Sequence, residues 1–190
     1  MKKVVLVLFV SAFMLMQKVV AQSAQSEAAL LKAMQTERAA GKVGSANEAA
    51  TQQEGSANVS FVQQVQTGGA GNQASVLQVG SYNQAALQQN GSGIRATISQ
   101  QGLENLYEGD LYGTNLSTEV VQQGNGNAIK QQLSGSNLHY SLSQYGNNNT
   151  INQIETSPSS RPYQVVQEGN GMNITIEQSS GFVPVTVQKQ

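Results

Sequence analysis

Nine primary amides recur in this chain at intervals that would let them bond to one another. Gln78, Gln100, Gln122 and Gln144 stand 22 residues apart, and Gln167 follows after one extra residue. Asn83, Asn105, Asn127 and Asn149 keep the same interval five residues further on. A primary amide both donates and accepts. Identical amides stacked at the strand spacing of about 4.8 Å therefore form a ladder, each bonded to the one above and the one below. That chemistry is recognition of a like chain. Bond-breaking chemistry has little material: His139 is the single His, Asp110 the single Asp, and there is no Cys. Glu104 and Glu108 lie close together without a catalytic motif and read as solvated turn charges. The "GNGN" at 124–127 lacks the Lys-Ser/Thr and the helix that a phosphate loop requires. Neither an enzyme nor a cofactor nor a metal site is expected.

Something must hold these amides in line, and the glycines show what. Gly80, Gly91, Gly102, Gly113, Gly124, Gly135 and Gly146 fall every eleven residues, and Ser157 takes the next slot. Gly55, Gly68, Gly169 and Gly181 extend the series with steps of twelve or thirteen. The Gln and Asn columns mark alternate glycines. The halves between carry Gln89 with Ile94, Leu111 with Leu116, and Leu133 with Leu138. The unit is thus 22 residues, two unequal halves, each a strand followed by a Gly-containing turn. Strand alternation supports this. One face reads Ala74-Val76-Gln78, Ala85-Leu87-Gln89, Ala96-Ile98-Gln100, Thr118-Val120-Gln122, Ile129-Gln131-Leu133 and Tyr140-Leu142-Gln144. The other is mainly polar (Thr97, Ser99, Glu119, Lys130, Gln132, Ser141, Ser143), with Leu77, Val79 and Val121 as exceptions. Regular glycines and β-branched runs such as "ATISQ" oppose a helix. The expected fold is all-β: a β-solenoid of stacked 22-residue strand-turn-strand-turn rungs, amyloid-like, with glycines at the corners. Turning Gln inward is tolerable because a stacked identical amide supplies the partner a buried one needs.

The ends differ from the repeat. Lys2 and Lys3 precede an apolar run from Val4 to Met16, and Val19-Val20-Ala21 offers a cleavage site, so residues 1–21 read as a signal peptide. A membrane anchor is the alternative, but the run is short for a span. Losing Lys2, Lys3 and Lys18 from ten basic residues leaves seven against eleven acidic ones. With no basic stripe, nucleic acid is not an expected partner. Without Cys, an exported chain has no disulfide staples and must rely on backbone pairing and stacking. Residues 22–52 form a leader or targeting segment in which Ser26 to Ala40 fits a short helix or a flexible stretch. The repeat domain is assigned to 53–190. Pro158 and Pro162 imply a loop bulging from the stack. Pro184, in the final strand "FVPVTVQ", would blunt an open edge.

The motif Q-x-G-x-x-N with a second Gln eleven residues on, as in Gln78-Val79-Gly80-Ser81-Tyr82-Asn83 to Gln89, resembles the curlin repeat of bacterial curli amyloid subunits. The stretches Gln100 to Asn105, Gln122 to Asn127 and Gln144 to Asn149 resemble it too. The resemblance, over about residues 53–190, implies a secreted subunit of extracellular fibres in biofilm matrix and cell adhesion. It also implies partners: self and other curlin subunits, the curli export pore and its accessory proteins. Departures are Ile94, Leu116 and Leu138 where curlin repeats open with Ser, and Leu111 and Leu133 where the second Gln is lost. A glycine in nearly every half-repeat resembles the minor, nucleating subunit more than the major one. The alternative is a monomeric secreted β-solenoid binding a surface, ice or carbohydrate. The outward column lacks the repeated Thr such an array would want.

Overall fold

The computed structural model describes residues 46–156 and 162–178. Its strands are β1 (Glu48–Ser56), β2 (Val59–Gln66), β3 (Gln73–Ser81), β4 (Gln84–Gly91), β5 (Arg95–Leu103) and β6 (Leu106–Glu108). They continue as β7 (Ser117–Asn125), β8 (Ala128–Lys130), β9 (His139–Asn147), β10 (Thr150–Glu155), β11 (Tyr163–Asn170) and β12 (Asn173–Gln178). Odd strands stack into one six-stranded parallel sheet in the order β1-β3-β5-β7-β9-β11, and even strands into another, β12-β10-β8-β6-β4-β2. The described region is a parallel β-solenoid of six rungs. The signal peptide, the helix considered at 26–40, Pro158 and the Pro184 strand lie outside the described residues.

Equal rung length sets the register. From β3 to β9 each residue pairs with the one 22 further on, so Gln100 lies over Gln122 and Gly102 over Gly124. Rung one to rung two spans 25 residues, with the extra three in the link Thr67 to Asn72; rung five to rung six spans 23. The first strand begins at Glu48, ahead of residue 53, and runs through Gln53 to Ser56.

The two sheets enclose one core. Every residue of the six inward triplets read from the sequence is buried. Val76, Ile98, Val120 and Leu142 from one sheet meet Leu87, Tyr107, Ile129 and Ile151 from the other in a single cluster. Burying each of the larger aliphatic side chains stabilises by about 1.5–3 kcal/mol. Parallel sheets are usually covered on both faces; here the outward face carries mostly polar groups in water. Leu77 and Ser143, read as outward, are nonetheless only 2% and 6% exposed.

Two expectations need correction. Gly80, Gly102, Gly124 and Gly146 lie within the ends of strands and are not the corners. At Gly124 φ is +121°, and a Cβ would overlap the carbonyl oxygen of Gly146 in the next rung. The column is glycine because adjacent backbones close on each other there. The left-handed corner comes two residues later, at Tyr82, Glu104, Gly126 and Asn148. In the other half Gly91 ends β4 with φ +117°, whereas Gly113 and Gly135 sit in bends whose positive φ falls on Leu111, Tyr112, Leu133 and Ser136. These left-handed residues also explain the second correction. Ile129-Gln131-Leu133 was expected as one strand, but β8 stops at Lys130 and β6 at Glu108. One more rung-to-rung bond follows, Gln131 N–H to Glu108 O at 2.8 Å, before Leu133 breaks the ladder.

Gly124→Ala should therefore lower stability by about 2–4 kcal/mol, from backbone strain plus the lost carbonyl approach. Gly135→Ala, with open space at its Cβ, should stay within about 0.5 kcal/mol. Denaturant midpoints of the unassembled protein compare them; equal shifts would remove the assigned difference.

Candidate assembly site: the amide ladders

The strand alternation that buries Val and Ile also turns one Gln per rung inward beside them. Gln53, Gln78, Gln100, Gln122, Gln144 and Gln167 form a continuous column in which each Nε2 donates to the Oε1 of the next rung. The distances are 2.6, 2.8, 2.8, 3.0 and 2.7 Å. The second Nε2 proton is also used. Gln78 donates to Val59 O (3.0 Å), Gln100 to Gln84 O (2.9 Å), Gln122 to Leu106 O (3.0 Å), Gln144 to Ala128 O (3.2 Å) and Gln167 to Thr150 O (3.1 Å). Those carbonyls begin the strands of the opposite sheet. Each Gln thus ties its rung to the next one and one sheet to the other. From Gln78 to Gln167 all five are fully buried, and their satisfied bonds offset the desolvation cost.

The Asn column occupies the corner after each glycine. Asn83, Asn105, Asn127 and Asn149 are fully buried, and each donates its backbone N–H to the Asn Oδ1 of the preceding rung at 3.0–3.1 Å. Their Nδ2 atoms reach the other way, to Gly102 O, Gly124 O, Gly146 O and Gly169 O at 2.8–3.0 Å. The motif's Gly and Asn are one device: lacking Cβ, the glycines let their carbonyls approach, and the Asn amides engage those carbonyls. The side-chain amides of this column donate toward the preceding rung, from Asn83 to Asn58, Asn105 to Asn83 and Asn127 to Asn105, opposite in sense to the Gln column. At rung six Met172 takes the Asn place, its N–H still donating to Asn149 Oδ1 at 3.0 Å.

All nine amides named from the sequence therefore lie in two continuous ladders. Several relatives in the same columns were missed. Gln53 and Asn58 belong to rung one, hidden by the three-residue insertion. Gln64 donates to Gln89 at 2.6 Å in the second half; that column then passes through Leu111 and Leu133 to Glu155. Asn125, Asn147 and Asn170 form an exposed ladder just after the glycines; the recurring Gly-Asn pair at Gly124, Gly146 and Gly169 was its signal.

A second buried network needed the structure. Tyr107 donates from its hydroxyl to Gln131 Oε1 at 2.6 Å, and Gln131 Nε2 donates to Thr118 Oγ1 at 2.7 Å and to Gln153 Oε1 at 3.3 Å. Burial, and then the charge of Asp110, push the Tyr107 phenol far above its ordinary range, so it remains a donor. Burial followed by the Glu155 carboxylate pushes Tyr163 up as well. Glu155 is fully buried, and among the described residues neither of its carboxylate oxygens has a hydrogen-bond partner.

Such an arrangement can extend backbone and amide hydrogen bonds to another rung. Among the described residues no group of three His, Cys, Asp or Glu is placed to hold a metal. Glu108 faces Lys130 across 3.7 Å on the outside, and His139 is exposed at the start of β9.

Comparison with known proteins agrees with this geometry. No curated protein and no solved structure matches the chain. The family model described as the curlin associated repeat matches residues 69–102, which span β3 and β4 and most of β5, with Gln78, Asn83, Gln89 and Gln100 among them. The matched stretch contains ladder residues from both halves of a rung, and the same register runs through the rungs on either side, so residues 69–102 are similar to a curlin associated repeat set within a longer stack of like rungs.

Proposed function

We propose that the chain is a secreted structural subunit of an extracellular, curli-like functional amyloid fibre, a component of biofilm matrix that serves adhesion. One observation carries this reading: in-register parallel rungs joined from one to the next by buried Gln and Asn ladders along a single axis. An incoming rung would pair with an exposed edge strand and continue the ladders, so folding and polymerisation use the same bonds. No catalytic step enters this function. Export would use the signal at residues 1–21, with residues 22–52 read by the export pore and its accessory proteins. The glycine in nearly every half-repeat supports a minor, nucleating subunit.

Two outcomes are expected. Replacing Gln100, Gln122 and Gln144 together by Ala leaves buried partners unsatisfied at about 1–3 kcal/mol each. It should slow thioflavin-positive assembly far more than replacing the outward Ser99, Gln101 and Gln123. Similar slowing by both sets would contradict an inward ladder as the driving element. Raising the concentration of the wild-type chain should convert soluble monomer into protease-resistant polymer. Persistence as a monomer at every concentration would favour a binding module.

A further inference from the structure

Buried groups that the ladders do not use gather where rung five meets rung six. Tyr140 of β9 and Tyr163 of β11 share one inward register position, 23 residues apart in the chain. Their rings stack with centroids 4.6 Å apart and planes tilted by 53°. Tyr140 is 4% exposed and Tyr163 is half-buried. Glu155, at the end of β10, lies near enough for its charge to add to burial in raising the Tyr163 phenol. Among the described residues the Tyr163 hydroxyl and both Glu155 oxygens make no hydrogen bond. Packing accounts for the rings. It does not account for a bare carboxylate beside a bare phenol, which lowers stability.

The chemistry open to this trio is one-electron oxidation. A phenol that holds its proton tightly gives up an electron readily only when a base takes that proton, and the Glu155 carboxylate has lone pairs free for it. Tyr107 lacks such a base, because its hydroxyl donates to the neutral amide oxygen of Gln131.

We propose that Tyr140 and Tyr163 form an oxidative cross-linking site, joined carbon to carbon by a peroxide-driven one-electron oxidant, with Glu155 as the proton acceptor for Tyr163. Each phenol loses one electron and one proton. The two phenoxyl radicals couple through a ring carbon ortho to each oxygen, and the hydrogens on those carbons then move to the oxygens. The two electrons and two protons released reduce one hydrogen peroxide to two waters. The new bond would staple rung six, where Met172 replaces the Asn of the column, to rung five. With no Cys, the chain has no disulfide to do the same. This inference goes beyond the fibre reading and depends only on the folded rungs.

The test treats the folded wild-type chain with hydrogen peroxide and a haem peroxidase, unfolds it, and cleaves it after glutamates. Cleavage at Glu155 separates the two tyrosines. The expected result is that their fragments stay joined, with a mass two hydrogens below the sum and with dityrosine fluorescence. Tyr140→Phe and Tyr163→Phe keep the stacked rings and should each lose the joined fragment, whereas Tyr145→Phe should retain it. Glu155→Gln, followed by fluorescence, should slow the linkage at least about tenfold at neutral pH, as loss of a proton acceptor implies; Glu168→Gln should not. Amide exchange in β11 and β12 should slow at least about tenfold once the link is made. Wild-type fragments that separate, or that join only between isotope-labelled and unlabelled chains, would overturn the site. So would joined fragments from Tyr163→Phe as abundant as those from the wild type. An unchanged rate in Glu155→Gln would overturn the proton acceptor, and equal exchange in linked and unlinked protein would overturn the staple.

Discussion

A primary amide taken out of water needs partners for two protons and a carbonyl, and in a narrow stack the nearest thing that can supply them is the same amide one rung away. Everything regular about this protein follows from that requirement. Rungs must be of equal length or the amides miss each other. Strands must be parallel and in register, because any slip of one residue would turn Gln78, Gln100 and Gln122 outward and bring Val79, Gln101 and Gln123 in. Among the described rungs the extra residues fall after β2 and after β10, outside the paired strands, so the columns stay in line.

The core is correspondingly thin in apolar material and still sufficient. Each rung contributes a few aliphatic or aromatic side chains between the sheets, and the Gln and Asn ladders complete the layer with their own amides hydrogen-bonded. The Gly-Asn device fixes the corner by letting two backbones approach and then engaging the exposed carbonyl. The Tyr107, Gln131, Thr118 and Gln153 network does a similar service where the second-half Gln has become Leu, linking rungs three to five through side chains that differ in kind. Its members are not interchangeable, which gives the middle of the stack a fixed order that the uniform ladders alone would not impose.

Much of this was legible in the sequence because the period is written three times, in Gly, Gln and Asn. The inward faces of β3, β4, β5, β7 and β9 follow directly from alternation. Rung one was legible only in part. Its Gln53, Gly55 and Asn58 repeat the motif, but a 25-residue step removes them from a 22-residue comb. The corners were misplaced because the left-handed residue is chosen by its neighbours: Tyr82 and Glu104 have no preference for that conformation and adopt it because the flanking Gly and Asn are held by the next rung. The shortening of β6 and β8 had the same origin, a backbone turn at Leu111 and Leu133 that no residue type announces. Burial of Leu77 on the outward face was not legible from periodicity, which assigns a face and not its cover.

The opposed sense of the two buried amide columns has a consequence for the field along the axis. Hydrogen-bonded amides pointing one way add their dipoles, as the peptide groups of a helix do to give partial charges of about half an elementary unit at its ends. Here the buried Asn amides point against the Gln amides, while the exposed Asn147 amide points with them, so the buried Asn column offsets part of the moment that the Gln column builds. The tips of the stack therefore carry a weaker field than a Gln column alone would set up.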